Sequence, residues 1–483
     1  MSLRLVGQRS QAVTAWHLKH AHHGNKPWAV QAEALKRSNG ARGYGYFLEQ
    51  GLGKTALAQN EFIDQDDTDL HIVAAPNSFK LDWALAPAEW GVEWMPSGYW
   101  PRNPLPFKAD YMQYAINYEA IRSKNTLREL IRLFDERSIM FSVDESTALK
   151  TWDSETTRAV IELAKRARVV RLLNGTPLTQ NAMDYYGQLR AIGELNGVSA
   201  VAFRNRYAVK GGFMGRQLLH EIRNEEELGH ILDDCSFRAL KKDWRKDLPP
   251  KKLTPVHVEM TDKQIAHYST MMDEFYALVD GRKEITAPMV LIQYDKLRQI
   301  SSGLLMDKGE HWWLEDHRKN PKLQATLSLI DGCPGKVIVV HFYKPSGEML
   351  LEELRKRKLN PAYIRGQMKP EELIEQKRRF NDDTSCRVIV CQEGAAFRGH
   401  TLIGQKGLRD RCSTMIFYEN DFSYYQRSQM EDRNNRGEQD QVCDVYDILT
   451  SPMDELAIRI LTTKRDMAQG MDEIVAKIRA MRR

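Results

Sequence analysis

Residues 47–57 read FLEQGLGKTAL. Gly-Lys-Thr follows a glycine-rich turn here. The turn sits between a short β-like run, "YGYFL" (44–48), and a helical run, "KTALAQNEFI" (54–63). Strand, glycine turn and helix in this order make a phosphate cradle. Glycines let successive backbone N–H groups turn inward, and the helix N-terminus favours an anion. The common pattern G-x-x-x-x-G-K-[ST] wants a glycine at position 48, where this chain has Leu48. Two readings stand at this point. One is a nucleotide site, with Gly51, Leu52 and Gly53 in the turn, Lys54 reaching the β/γ-phosphates and the Thr55 hydroxyl on magnesium. The other is a chance Gly-Lys-Thr in a surface loop.

Working outward, more β-like runs follow: "HIVAAP" (71–76), "YAINY" (114–118), "SIMFSVDE" (138–145) and "VVRLLNGTP" (169–177). Each is separated from the next by polar turns and helical patterns, which indicates an α/β unit with a parallel sheet. From about 195 to 320 the period is mostly helical, as in "NEEELGHILDDC". The β-like runs then return as "KVIVVHFY" (336–343), "CRVIVC" (386–391), "STMIFY" (413–418) and "CDVYDIL" (443–449). "DLPPKK" (247–252) is the expected hinge, because Pro249-Pro250 cannot continue a helix.

The chain has 483 residues, enough for two to four domains at about 100–200 residues each. With 42% hydrophobic and 28% charged residues it can build cores and is not of disordered composition. The net charge of +5 argues only weakly for a polyanionic partner. Local clusters say more: residues 238–252 hold seven Lys/Arg against two Asp, and 477–483 hold four Lys/Arg. Each cluster reads as a solvated face or as a phosphate-tracking surface. None of the six cysteines has C-x-x-C spacing, so reduced buried thiols are expected rather than a zinc site or disulfide framework. The N-terminus lacks a signal-peptide core, and no run approaches the ~18 apolar residues of a membrane span. A soluble, reducing, cytoplasmic setting without membrane association is expected.

A triphosphate site also needs acids at the end of a neighbouring strand. "SIMFSVDEST" offers Asp144 to hold magnesium and Glu145 to orient and polarise the attacking water. An ordinary Asp-Glu turn after a buried strand would look the same, but the two sites together are less readily produced by chance.

With the cradle, "VDEST" and "NGTP" in this order, the chain resembles helicase superfamily two and, more closely, the Swi/Snf-like double-stranded DNA translocases. That family shows D-E-x-G-L-G-K-T in place of the full glycine pattern. Here Glu49 to Thr55 match, with Leu48 where Asp is usual. Pro76, Trp83 and Trp90 in "HIVAAPNSFKLDWALAPAEW" fit its W-x(6)-W segment. "LLNGTPLTQN" is similar to its S-G-T-P-x-x-N segment, with Asn174 for Ser, and "FRALKKDWRKDLPPK" to its R-R-x-K-x-D…L-P-x-K stretch. "QMEDRNNRGEQ" (429–439) fits Q-x-x-D-R-x-x-R-x-G-Q at Gln429, Asp432, Arg433, Arg436 and Gln439, with Glu438 for glycine. Two departures are Thr147 in D-E-S-T, where His is usual, and "EGAAFRGHTL" (393–402), where only Ala395, Gly399 and Leu402 agree.

The resemblance implies an α/β fold with two RecA-like parallel-sheet lobes in tandem and helical insertions between them. The expected division is an N-terminal segment 1–24, lobe one at 25–248 with a helical protrusion over 195–248, and lobe two at 249–483 with a helical insertion over 258–320. It implies ATP and Mg2+ as cofactors, Gln31 reading the adenine edge, and Arg433 and Arg436 as fingers from lobe two. It also implies backbone grips at Asn77, Ser78, Lys80, Asn117 and Thr401, with Lys241 and Lys242 in the basic stretch. The implied activity is ATP-dependent translocation on double-stranded or branched DNA, remodelling DNA structures or displacing bound proteins. Replication or recombination proteins, or a nuclease, would be partners. An RNA-dependent ATPase, an ATP-gated binding module and the motor subunit of a nuclease complex stand as alternatives. No appended chromatin-reading module is recognisable, and compact motors of this kind are familiar in bacteria and their viruses.

Overall fold

The computed structural model describes residues 16–19, 26–105, 110–175, 177, 181–211, 217–281, 287–396, 401–405, 407, 410–420, 423–436 and 439–462. The chain splits into two compact units. One comprises Met1–Lys210 with Leu218–Asp247, the other Gly211–Gln217 with Leu248–Arg483.

In the first unit, β1 (Gly43–Leu48), β2 (Leu70–Ala75), β3 (Ser97–Tyr99), β4 (Gln113–Asn117), β5 (Ile139–Asp144) and β6 (Val169–Leu173) form a sheet. A short two-stranded sheet of β7 (Ala208–Gly211) and β8 (Gln217–Ile222) follows, and β9 (Ser236–Ala239) then returns to the main sheet. The order is β3-β4-β2-β5-β6-β1-β9, and every pairing is parallel. All of β2 and β4 is buried. Parallel strands covered by helices on both faces need continuous apolar runs of this kind.

The polar groups this sheet buries are matched to one another. Arg171 on β6 and Glu61 on the helix Lys54–Ile63 are both fully buried and meet at 2.5 Å, and Tyr46 donates to Glu61 at 2.7 Å. His71 lies 3.1 Å from Gln113 Oε1 and 2.8 Å from Ser142 Oγ. Burial lowers the His71 pKa to about 4, so its ring is neutral at pH 7.

In the second unit, β10 (Lys251–His257) and β13 (Lys336–His341), β14 (Ala362–Ile364), β15 (Val388–Gln392), β16 (Cys412–Phe417) and β17 (Cys443–Leu449) build the sheet. Its order is β10-β17-β16-β13-β15-β14, again wholly parallel. Between β10 and β13 lie the helices Asp262–Gly281 and Ala287–Ser301 and a hairpin of β11 (Leu304–Asp307) and β12 (Glu310–Trp313).

The expectation of a mostly helical stretch over 195–320 needs correcting. Its long helices are present, but so are two two-stranded sheets and one edge strand of each main sheet. Strand β10 contains Pro255 and is largely exposed, which an edge strand tolerates. All six cysteines are free and five are buried. Among the described residues no helix is long and apolar enough to cross a membrane.

Candidate functional site

Strand β1 ends at Leu48, whose side chain is fully buried. Beyond it the chain turns through Gly51 (φ 84°) and Gly53 (φ 76°). Both are in the left-handed region that glycine enters without penalty. Leu52 is fully buried and pins the turn, so only its backbone faces outward chemistry. Gly53 caps the helix Lys54–Ile63, and its carbonyl accepts from Leu57 N at 3.0 Å. Lys54 Nζ donates to the Leu48 carbonyl at 2.8 Å, across the mouth of the turn. Thr55, in the helix's first turn, is partly exposed. Gln31 is fully buried. Its Oε1 accepts from Trp28 N at 2.8 Å, and its Nε2 donates to the Gly53 carbonyl at 3.3 Å. Here it braces the turn with both ends of its amide.

The acid pair stands beside this turn. Asp144 ends β5, in register with Leu173 on β6, so Asn174 and Gly175 follow immediately alongside. Trp83 Nε1 donates to Asp144 Oδ2 at 2.8 Å, and Glu145 N donates to Asp144 Oδ1 at 3.0 Å. Glu145 is buried and held at φ 52°, an unusual conformation for a non-glycine residue. Such strain concentrates at functional sites. Gln50, within the turn segment, donates to Glu145 Oε1 at 3.2 Å, which brings the glycine turn and the acid pair together. A Cβ at Gly175 would lie 3.3 Å from Gln50 Cγ, so the third segment also closes on this point. Asn174 Nδ2 donates to Ser146 Oγ at 3.3 Å, tying the third segment to the acid box.

Burial, and then the Glu145 carboxylate, push the Asp144 pKa up to about 7, against smaller downward effects from Trp83 and Lys54. A carboxylate at Asp144 and a hydroxyl at Thr55 are each of the hard-oxygen donor type that Mg2+ takes.

In the second unit residues 429–436 and Gln439 are tightly held. Arg433 is fully buried, with Nη2 donating to Gln429 Oε1 at 3.1 Å, while Arg436 is half-buried. Lys251 Nζ meets Asp432 at 3.1 Å. Gln439 Nε2 donates to the carbonyls of Cys412 (2.8 Å) and Asn434 (2.7 Å). Gln429, Asp432 and Gln439 therefore hold the segment in place, and of the two arginines Arg436 has the exposure a finger needs.

The expected grips divide by burial. Asn77 and Lys242 are exposed, and Ser78 and Thr401 are partly so. Lys80, Asn117 and Lys241 are 5%, 8% and 8% exposed, which leaves little surface for a phosphate. Asn117 donates to Glu119 at 2.7 Å, and Lys241 N donates to Glu49 Oε2 at 2.5 Å. Thr176, residues 397–400 and Glu438 lie outside the described residues. Sequence reasoning missed Trp83 and Gln50 as supports of the acid pair. Only the pairing of β2 with β5 brings Trp83 to Asp144, 61 positions away.

A glycine turn at a helix N-terminus, with an acid pair at the end of β5, one strand away across β6, is the arrangement of a P-loop nucleotide-binding class of site. The SNF2-related domain family matches residues 107–304, which contain Asp144 and Glu145. Over that stretch the chain is similar to SNF2-related domains. Human "DNA annealing helicase and endonuclease ZRANB3" is 22% identical over 431 residues, covering 86% of this chain and 37% of that protein. A Caenorhabditis elegans protein, "SWI/SNF-related matrix-associated actin-dependent regulator of chromatin subfamily A-like protein 1 homolog", is 27% identical over 377 residues, covering 76% of this chain and 50% of its own length. The chain thus spans half or less of these relatives. The solved "Sulfolobus solfataricus SWI2/SNF2 ATPase core in complex with dsDNA" aligns at a TM-score of 0.43 and 20% identity, covering 96% of this chain and 95% of that one.

Proposed function

We propose that this chain is an ATP-driven translocase on double-stranded DNA that remodels branched DNA by branch migration, fork reversal or annealing, or displaces bound proteins. The observation that carries the motor assignment is the meeting of the glycine turn with the acid pair through Gln50 and Glu145. DNA as the polymer is supported by the W-x(6)-W segment and by a relative named as a DNA annealing helicase.

In this reading the inward N–H groups at Gly51–Thr55 bind the phosphates. Lys54 leaves the Leu48 carbonyl for the β/γ-phosphates. Thr55 and Asp144 hold Mg2+, which supplies charge neutralisation at the transferring phosphoryl group. Glu145 orients the attacking water, and its fixed backbone and the Gln50 contact set the direction of its carboxylate. Arg436 is the finger, and Arg433 holds the segment that presents it. Phosphoryl transfer depends mainly on positioning and electrostatics, and a finger arginine contributes about 10³-fold or more. Asn77 and Lys242 are the grips with the most open surface. Gripping phosphates carries no sequence information and weakens with salt.

The test is steady-state ATP hydrolysis with no polymer, single-stranded DNA, duplex DNA, forked DNA and RNA, alongside Lys54→Ala and Arg436→Ala. Stimulation by duplex or forked DNA that both variants lose is the expected result. Greater stimulation by RNA, or no turnover with any polymer, refutes the proposal.

A further inference from the structure

We propose that the stretch Pro249–Lys251, where the second unit begins, positions the finger arginine through Lys251. Three consecutive residues attach to the finger segment and its neighbouring strand. The Pro249 carbonyl accepts from Asn435 Nδ2 at 2.9 Å, and the Pro250 carbonyl accepts from Cys443 N at 3.1 Å. Lys251 Nζ bridges Asp432 Oδ1 at 3.1 Å and Glu431 Oε2 at 3.4 Å. Asp432 immediately precedes Arg433, and Asn435 immediately precedes Arg436. The attachments are therefore interleaved with the two arginines.

The opposite flank is fixed to the sheet. Arg427 Nε meets Glu431 at 2.7 Å, while its Nη1 and Nη2 hold Asp447 on β17 at 2.5 and 3.0 Å. Its guanidinium carbon lies 3.5 Å from the centre of the Phe417 ring. Glu431 is thus shared between Arg427, which is anchored to β17, and Lys251 at the start of β10. Asp432 has 4% side-chain exposure and Lys251 has 29%, so the carboxylate is the more deeply buried end of the bridge. Two prolines restrict the backbone just before Lys251, and the pairing of β10 with β17 fixes the lysine itself. Lys251 is a positioning residue: it acts through Asp432 and Glu431. The inference rests on the reading of Arg436 as the finger.

Lys251→Met removes the ammonium and keeps the aliphatic stem. DNA-stimulated kcat, read well below the melting temperature of either protein, should fall about tenfold or more with KM for ATP unchanged, while the melting temperature falls because Asp432 is left buried without its ammonium. Lys251→Arg should restore most of the rate. Combined with Asp432→Asn, Lys251→Met should cost no further rate, because both variants break the same contact. Wild-type kcat in Lys251→Met overturns the proposal. So does a loss that arginine fails to rescue, or that adds to that of Asp432→Asn. Lys54→Ala separates the two failures. If it is inactive while Lys251→Met is normal, the positioning role alone falls. If Lys54→Ala hydrolyses ATP normally, the nucleotide-site reading falls and the inference with it.

Discussion

Replacing Trp83 by Phe would remove one hydrogen bond and leave most of its surroundings intact. The indole N–H donates to Asp144 Oδ2 at 2.8 Å. A phenyl ring retains the edge contact with His71, whose ring centre is 6.0 Å away, and the Trp83 carbonyl still accepts from Gln113 Nε2. A hydrogen bond to a charged acceptor contributes about 1.5–3 kcal/mol. At about 1.4 kcal/mol per tenfold this is roughly 10- to 150-fold. The outer-shell partner of a metal-ligating group has a similar effect, about 10- to 100-fold on metal affinity or activity. The indole N–H also lowers the Asp144 pKa, so its loss raises that group above about 7. The assay is ATP turnover against Mg2+ concentration at several pH values. The half-saturating Mg2+ should rise about 10- to 100-fold at neutral pH, partly recovering in alkali as Asp144 ionises. A folded Trp83→Phe protein with unchanged Mg2+ dependence and an unchanged acid limb would refute the assignment of Asp144 to magnesium with Trp83 behind it.

Three further outcomes are expected. Burial and Glu145 raise Asp144 from its ordinary 3.8 to about 7, so between these values the native chain keeps a proton that the unfolded chain releases. Its stabilising share is full below 3.8 and is lost as pH rises through about 7. Without Mg2+, urea unfolding should show less fall in stability between pH 5 and 8 for Asp144→Asn than for the parent. Arg171→Met leaves the fully buried Glu61 without its guanidinium, which should cost about 3–5 kcal/mol in urea unfolding. Joint replacement by Arg171→Met and Glu61→Leu should cost less. Arg436→Ala should reduce kcat about 10³-fold with an unchanged melting temperature, whereas Arg433→Ala should lower the melting temperature as well, because its side chain is fully buried.

The contrast between those two arginines shows where reading the sequence stopped. Arg433 and Arg436 share one local pattern, and nothing in "DRNNR" says which side chain is buried. Lys80 and Lys241 raise the same difficulty: lysine suggests a surface, yet both are buried. The strands β2, β5, β13 and β16 were legible because a parallel sheet covered on both faces demands unbroken apolar runs. Strands β9 and β10 were not. "SFRA" is short, and "KKLTPVH" is charged and contains proline, since an edge strand has only one side to pair. The two small sheets escaped notice because they interrupt long stretches of helical period. The glycine turn at Gly51 and Gly53 before the helix from Lys54, and the acids Asp144 and Glu145 at the end of β5, were legible as structure because each depends on local spacing. Trp83 and Gln50 act across the sheet, and only the strand order reveals them.

Strand order also answers the question posed by Leu48. A glycine at the start of a cradle is needed where the chain itself must turn or a ligand must approach the backbone closely. Here the left-handed positions are Gly51 and Gly53, so the turn is complete without a third glycine. Position 48 is still strand: its side chain points into the core with no exposure, and β1 pairs there with Ala239 of β9. Position 48 contributes its carbonyl to the site, and that carbonyl receives Lys54 Nζ at 2.8 Å. The carbonyl holds the lysine in place beside the turn until a stronger anion competes for it, and a charged group draws an ammonium more strongly than a neutral carbonyl does. A buried leucine anchors that carbonyl more firmly than glycine would, because it adds packing and removes backbone freedom. The departure from the usual pattern is therefore compatible with phosphate binding, and it fixes the resting position of Lys54.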